Sequence, residues 1–241
     1  LDHYKQTDAI KKKINAELLS LSNNEALLYK AIGWTGPPCF ETSSDALPTI
    51  DRWDGWVQKY PYPNQRINWE PLADLRNLIV EGSDEEFISK IDALIDIDNF
   101  IDYYLFLNLI CATDNLGKNI FLTRALESEP LCIIPWDFDG SFSAPTIISN
   151  NRLYERLVVS NASNFNQKLK DRWFSLRNSI FTSTHLLQIA YANLVQLQSS
   201  DIIDIENKKW SSDIKIQNEF EKLNYWIIER LPKLDNYYED L

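Results

Sequence analysis

The chain has 241 residues, of which 44% are hydrophobic and 24% charged, a composition typical of a globular protein with a sizeable core. Its formal net charge of −11 disfavours a general role in binding nucleic acids or anionic membranes. No apolar stretch is long enough to span a membrane, and we recognise no signal segment in this chain. The cysteines Cys39, Cys111 and Cys132 lack metal-type spacing, which predicts plain buried thiols.

The first quarter of the chain mixes helix, strand and loop signals. Apolar periodicity predicts a polar helix over residues 2–21, and a β-rich run predicts a strand over Ala26–Ala31. Gly, Pro, Ser and Thr then predict a loop from Gly33 to Asp51. The aromatic-rich segment that follows, Asp51–Tyr60, ends at two prolines.

Three helices are predicted before the polar motif at the centre of the chain. The first covers Trp69–Val80, and Ser83 to Glu86 form a capping box that begins the second. Asp98 is predicted to cap the third, Asn99–Ala112, which is apolar on nearly all sides and is therefore expected to be buried. This helix would end just before Asp114.

The central motif consists of two polar segments separated by two apolar runs. The polar segments are Asp114–Asn119 and Asp137–Asp139, and the apolar runs Ile120–Thr123 and Leu131–Ile134 predict a β-hairpin. Antiparallel pairing brings the start of one strand beside the end of the other. We therefore expect three carboxylates and an amide to converge at one end of the hairpin.

Phosphoryl transfer needs a carboxylate at the attacking hydroxyl and oxygen ligands for Mg²⁺. The spacing from Asp114 to Asn119 equals that of the kinase catalytic loop, D-x-x-x-x-N, and Asp137-Phe-Asp139 resembles the kinase D-F-G with Asp in place of Gly. Each half is a weak motif, but the two in order are moderately specific. They predict Asp114 as the catalytic residue and Asn119, Asp137 and Asp139 as metal ligands.

Two lysines are candidates for nucleotide binding. Lys118 lies inside the first polar segment and could neutralise phosphate charge, or it could be a surface lysine. Lys30 ends the predicted first strand and could reach a phosphate, although a lysine at a strand end often only extends its amine to solvent. Ser141 has no histidine partner from which a catalytic triad could be built.

The second half of the chain is predicted to be a helical bundle. An irregular loop, Gly140–Asn151, precedes a short helix or turn over Leu153–Leu157. Three longer helices with apolar residues in phase follow, over Asn166–Ser179, Thr184–Ser199 and Ile216–Asp235.

These motifs together resemble the CotH kinase family, over a region from about Ala26 to the C-terminus. The segment Ile134-Pro-Trp-Asp-Phe-Asp-Gly-Ser-Phe142 carries the resemblance most specifically. The other matching stretches are Lys59–Pro61, Ile97–Tyr103, Asp114–Asn119, Asn151–Leu157 and Arg172–Arg177.

The resemblance implies an α+β, protein-kinase-like fold with a mostly helical C-lobe, a catalytic β-hairpin and a truncated N-terminal β portion. It implies a single domain over residues 1–241, with an N-lobe remnant and hinge in residues 1–60 and the C-lobe in residues 61–241. By position, Asp114 matches the family's catalytic residue, Asp137 and Asn119 match its metal ligands, and Asp139 is an additional ligand. The implied activity is Mg²⁺- and ATP-dependent phosphorylation of protein Ser or Thr. The family has bacterial and eukaryotic members that are commonly spore-coat, secreted or cell-surface proteins, which implies a surface or coat protein as substrate and an extracellular or cell-surface location.

The chain also departs from the family pattern, and this keeps two alternatives open. It has no Gly-rich loop and begins near the end of the N-terminal lobe, so it could be a non-catalytic kinase-like surface or assembly module. The order strand then Asp137-x-Asp139-Gly-Ser also resembles the opening of D-x-D phosphohydrolases, with Asp137 as nucleophile and Asp139 as acid. That fold requires alternating strands and helices after the motif.

Overall fold

A computed structural model describes residues 26–42, 47–49, 51–142, 146–148 and 151–241. The helix predicted over residues 2–21 lies outside this part of the chain. The described residues form one antiparallel sheet followed, in the second half, by helices only. This is an α+β architecture.

The sheet has five strands in the spatial order β2-β3-β1-β4-β5, and every pairing is antiparallel. Its strands are β1 (Leu27–Ala31), β2 (Arg52–Trp53), β3 (Trp56–Tyr60), β4 (Phe121–Arg124) and β5 (Cys132–Ile134). The predicted strand at residues 26–31 and the predicted hairpin of β4 and β5 are both confirmed. Because β1 lies between β3 and β4, the early strands and the central hairpin share one sheet.

The register of the sheet separates a buried face from a more polar one. Tyr29 of β1 pairs with Leu122 of β4, which in turn pairs with Ile133 of β5, and all three are buried. Successive side chains of a strand point to opposite faces. Lys30 therefore lies on the other face, in register with Phe121.

Eight α-helices occupy the described residues. They are α1 (Glu70–Val80), α2 (Asp84–Leu94), α3 (Ile97–Ile110), α4 (Arg152–Ser160), α5 (Phe165–Arg177), α6 (Ser183–Gln198), α7 (Ile202–Trp210) and α8 (Ile216–Glu239). The predicted capping box is present at α2, since Ser83 and Glu86 each accept a hydrogen bond from the other's backbone N–H. The predicted helices correspond to all of these except α7, which the sequence analysis missed.

Helix α3 differs from its prediction at both ends. Asp96, not Asp98, is the N-cap, because its Oδ1 accepts a hydrogen bond from the Asn99 backbone at 3.0 Å while its own backbone is extended. At the other end the left-handed conformation of Cys111 ends the helix at Ile110. The chain then makes a separate turn of 3₁₀ helix over Thr113–Leu116.

Helix α3 is the central element of the core. It packs against α5, α8 and β5, and its Tyr104 ring stacks on Tyr154 of α4 with ring centroids 4.6 Å apart. At its N-terminus, the Asn99 side chain both accepts a hydrogen bond from the backbone of Ile133 and donates one back. One buried helix thus contacts the final strand of the hairpin and leads directly into the turn that carries Asp114.

A buried arginine from α8 closes the C-terminal end of α3. The Arg230 side chain is 1% exposed, and it donates to the carbonyl of Asn108 at 2.6 and 3.0 Å and to that of Thr146 at 2.8 Å. Burial lowers the pKa of this guanidinium from its usual value. A cation at a helix C-terminus interacts favourably with the helix dipole, so Arg230 ties α8 to the end of α3.

Two further features concern the described helices. Among the described helices, none combines the length and apolar character needed to cross a membrane. After β5 the described residues form helices only, so the alternation of strands and helices that the phosphohydrolase alternative requires is not found there.

Candidate functional site

The turn Thr113–Leu116 positions Asp114 immediately after the end of α3. The Ala112 N–H donates to the carbonyl of Leu107, which folds the chain back against the last turn of α3. Asp114 is half-buried in this turn, whereas the neighbouring Asn115 is buried. A rigid helix therefore holds the predicted catalytic carboxylate at a partly accessible position.

The segment after β5 makes an irregular path that exposes its carboxylates. Asp137 adopts a left-handed backbone conformation, with φ of 59°, and its side chain is exposed, as is that of Asp139. Phe138 between them points inward and meets the ring of Phe106 on α3 edge to face at 5.2 Å. The Ser141 hydroxyl donates to the carbonyl of Phe138 at 2.7 Å and closes the turn.

The two polar segments meet, as the hairpin predicted. A β-carbon placed on Gly140 would lie 3.6 Å from Oδ2 of Asp114, so the carboxylate lies directly against that glycine. Asn119 is 3% exposed, and its Nδ2 lies 3.5 Å from the backbone oxygen of Asp137. The first polar segment thus contacts the chain after β5 at both of its own ends, through Asp114 at Gly140 and through Asn119 at Asp137.

The carboxylates themselves do not form a compact cluster. Within the described ranges, no group of three His, Cys, Asp or Glu side chains lies close enough together to hold one metal ion. The set that the hairpin does bring together is the amide of Asn119 and the segment of Asp137, with Asp139 two residues on. Amide and carboxylate oxygens suit Mg²⁺, which commonly takes one or two protein ligands and completes its shell with phosphate and water.

The two candidate lysines both lie against aromatic rings. The Lys30 amine lies 5.4 Å from the ring centroid of Phe121 and 5.8 Å from that of Trp136, the residue before Asp137. The Lys118 amine lies 4.1 Å from the ring centroid of Trp34, which is 54% exposed. Each lysine is therefore held by a cation–π contact beside the site.

A loop from the first part of the chain covers the first polar segment. It runs from Gly33 to Phe40 and includes a turn of 3₁₀ helix, Pro37–Cys39. The Cys39 thiol donates to the carbonyl of Trp34 at 3.1 Å, and burial raises its pKa to about 12. Gly117 packs so closely below this loop that a β-carbon there would collide with the Cys39 sulfur and lie 2.9 Å from the Gly33 oxygen.

Gly117→Ala is expected to lower the free energy of unfolding by about 2 kcal/mol, because the added methyl overpacks a site bounded by backbone. Urea denaturation would measure the loss. Gly140→Ala is the matched control, since its new β-carbon would meet the Asp114 carboxylate at an ordinary contact distance of 3.6 Å. Equal losses in the two variants would contradict the close packing of the Gly33–Phe40 loop on Gly117.

Two residues of this region had no role in the sequence analysis. Asn115 donates from Nδ2 to the carbonyl of Trp136 at 2.6 Å, and its own carbonyl accepts from the Tyr103 hydroxyl at 2.8 Å. Trp34 supplies the aromatic surface beneath Lys118. Asn115 lay inside the recognised motif, but nothing in the sequence distinguishes a buried asparagine from a turn former. Trp34 lay in a segment that was predicted only as loop.

Comparison with known proteins assigns the family. A family model described as CotH kinase protein matches residues 3–234, nearly the whole chain. The chain belongs to the CotH kinase family. A search of curated proteins found no match. Membership supports a kinase-like role at the level of the family, and the relation of this family to spore coats fits a surface location.

Proposed function

We propose that this CotH family member is a protein-kinase-like enzyme that transfers the γ-phosphoryl group of ATP to a Ser or Thr hydroxyl of a surface or coat protein. The observation that carries the proposal is the contact between the two polar segments. Asp114 lies against Gly140, and Asn119 lies against the backbone of Asp137. These segments occur in the kinase order and meet at the open end of a hairpin.

In this proposal Asp114 orients the substrate hydroxyl and accepts its proton. The hydroxyl oxygen forms a bond to the γ-phosphorus, and the bond from that phosphorus to the β–γ bridging oxygen breaks with its electron pair remaining on ADP. Asp114 suits this role because it is half-buried in a turn at the end of a helix, with its Oδ2 facing Gly140. A general base must lie within hydrogen-bond reach of the proton that it accepts, and a partly accessible carboxylate can meet a substrate hydroxyl there.

The remaining predicted residues would hold the nucleotide. Asn119 and Asp137, with Asp139 beside them, would ligate Mg²⁺, which when bound neutralises phosphate charge and orients the transferred group. Lys30 and Lys118 carry positive charge at the edges of the site, where they could approach phosphate oxygens. Each amine lies over an aromatic ring beside the site, Lys30 over Phe121 and Lys118 over Trp34.

Asp137→Ala is expected to weaken magnesium-dependent nucleotide binding by at least about tenfold, because the main carboxylate ligand is removed. Calorimetry of ATP with and without Mg²⁺ would measure this for the wild type and the variant. Asp92→Ala, which removes an exposed carboxylate from α2, is the control and should leave binding unchanged. Equal affinities in Asp137→Ala and the wild type would rule out this ligand assignment.

A second candidate is a non-catalytic kinase-like surface or assembly module. One observation favours it, namely that within the part of the chain described here no three His, Cys, Asp or Glu side chains lie close enough together to hold an ion. The same calorimetry separates the two functions. Absence of ATP binding by the wild type at every magnesium concentration would favour the non-catalytic module.

A further inference from the structure

Asn115 occupies an unusual position between three parts of the site. It follows Asp114 in the turn Thr113–Leu116, yet its side chain is only 1% exposed. Its Nδ2 reaches across to the carbonyl of Trp136, at 2.6 Å, while its own backbone carbonyl is held by Tyr103 of α3. One residue therefore connects the central helix, the catalytic turn and the exit of β5.

The backbone turns sharply where the chain leaves β5. Asp137 adopts a left-handed conformation, which Asp enters more readily than most residues other than glycine and which the surrounding contacts hold in place. The backbone carbonyls of Trp136 and Asp137 each face a side-chain amide of the first polar segment. Trp136 receives the short bond from Asn115, and Asp137 itself receives a longer contact, 3.5 Å, from Asn119.

We propose that Asn115 is a positioning residue that holds Asp137 in the conformation needed to ligate Mg²⁺. This inference rests on the function proposed above. Asn115 has no contact with substrate in this scheme and acts only through the backbone of Asp137. Of the two amide contacts, the shorter is the one made by Asn115, at 2.6 Å, and that of Asn119 is 3.5 Å long.

The atom of Asn115 that carries out this positioning is Nδ2, which donates the hydrogen bond to Trp136. Among the described residues, the Oδ1 of Asn115 is buried without a hydrogen-bond partner, so the side chain acts as a donor only. A leucine is close to asparagine in shape and removes that donor without adding a charge. Asn115→Leu should therefore remove the hydrogen bond from Nδ2 to the carbonyl of Trp136 while keeping the core filled.

Asn115→Leu is expected to raise the Mg²⁺ concentration at half-maximal ATP binding by about tenfold, with binding restored at excess magnesium. It is also expected to speed amide hydrogen exchange over residues 138–142 in the metal-free protein, because the turn is no longer fixed to β5. Calorimetry and exchange detected by mass spectrometry would measure these effects. Should the leucine variant not fold, Asn115→Ala would be measured in the same way.

The matched control is Asn99→Leu. Asn99 is another asparagine that bonds the backbone of β5, at Ile133, from within α3. Its removal should lower thermal stability but leave the magnesium midpoint unchanged, which separates positioning from general support of the strand.

The outcomes distinguish this proposal from the function on which it rests. An unchanged magnesium midpoint and unchanged exchange in Asn115→Leu would overturn the positioning role. A wild-type protein that binds no ATP at any magnesium concentration would overturn the kinase function, while the exchange measurement would still decide whether Asn115 fixes the turn at Asp137.

Discussion

Arg230→Met is expected to lower the free energy of unfolding by about 3 kcal/mol, a large part of the stability of an ordinary domain. The substitution keeps the volume of the side chain but removes the charged donors that satisfy the carbonyls of Asn108 and Thr146. The desolvation cost of the buried guanidinium is removed too, which offsets part of the loss. We expect the unsatisfied carbonyls to outweigh this gain, because they lie where the helix dipole also favours a cation.

Chemical denaturation of Arg230→Met and of a control would measure this effect. Lys222→Met on the same helix removes an exposed cation that pairs with the exposed Glu219, and it should change stability by less than about 0.5 kcal/mol. Arg230→Lys should not restore the wild-type value, because a single ammonium is more strongly hydrated and cannot reproduce the forked contacts. A methionine variant as stable as the wild type would mean that the guanidinium contributes nothing beyond its volume.

Asp114→Asn is expected to reduce the rate of phosphoryl transfer by about 10²- to 10⁴-fold while leaving magnesium-dependent ATP binding intact. The amide keeps the shape of the carboxylate against Gly140 but cannot accept a proton from the substrate hydroxyl. Transfer of radiolabelled phosphate to a Ser- and Thr-containing protein substrate, together with calorimetry of ATP, would measure the two properties separately.

The control for Asp114→Asn is Asp102→Asn. Asp102 is on the same helix that leads to Asp114, but it pairs with Arg172 at the surface, 2.6 Å away, and is not part of the site. Transfer by Asp102→Asn should remain near the wild-type rate. An Asp114→Asn variant that transfers phosphate as fast as Asp102→Asn would exclude Asp114 as the catalytic base.

Local sequence signals predicted most of the architecture. The alternation of β-formers around a polar turn gave the β4–β5 hairpin, and Ser83 with Glu86 gave the start of α2, because both signals involve residues close in sequence. The meeting of the Asp114 and Asp137 segments followed from the hairpin alone, since antiparallel pairing fixes which ends lie together.

Other features could not be predicted, because they depend on contacts between residues distant in sequence or on a choice between two equally suitable residues. Asp96 and Asp98 are both acceptable N-caps by composition, but it is Asp96 that accepts from the Asn99 backbone, while its own N–H donates to the carbonyl of Leu131, just before β5. The role of Arg230 could not be read from its helical pattern, because a charged residue within an apolar stripe is usually assigned to the surface. Helix α7 was missed; it is only nine residues long, and none of its residues is buried.

The tip of the β4–β5 hairpin provides a place to attach a chemical label. Residues Glu127, Ser128 and Glu129 are exposed there, at the end of the hairpin opposite Asn119 and Asp137. The native thiols compete poorly for thiol reagents, since Cys39 and Cys111 are buried and burial raises the pKa of Cys132. A cysteine introduced at Ser128 would thus accept a fluorophore or a surface linker selectively, leaving the opposite end of the hairpin free for ligands in single-molecule or immobilised assays.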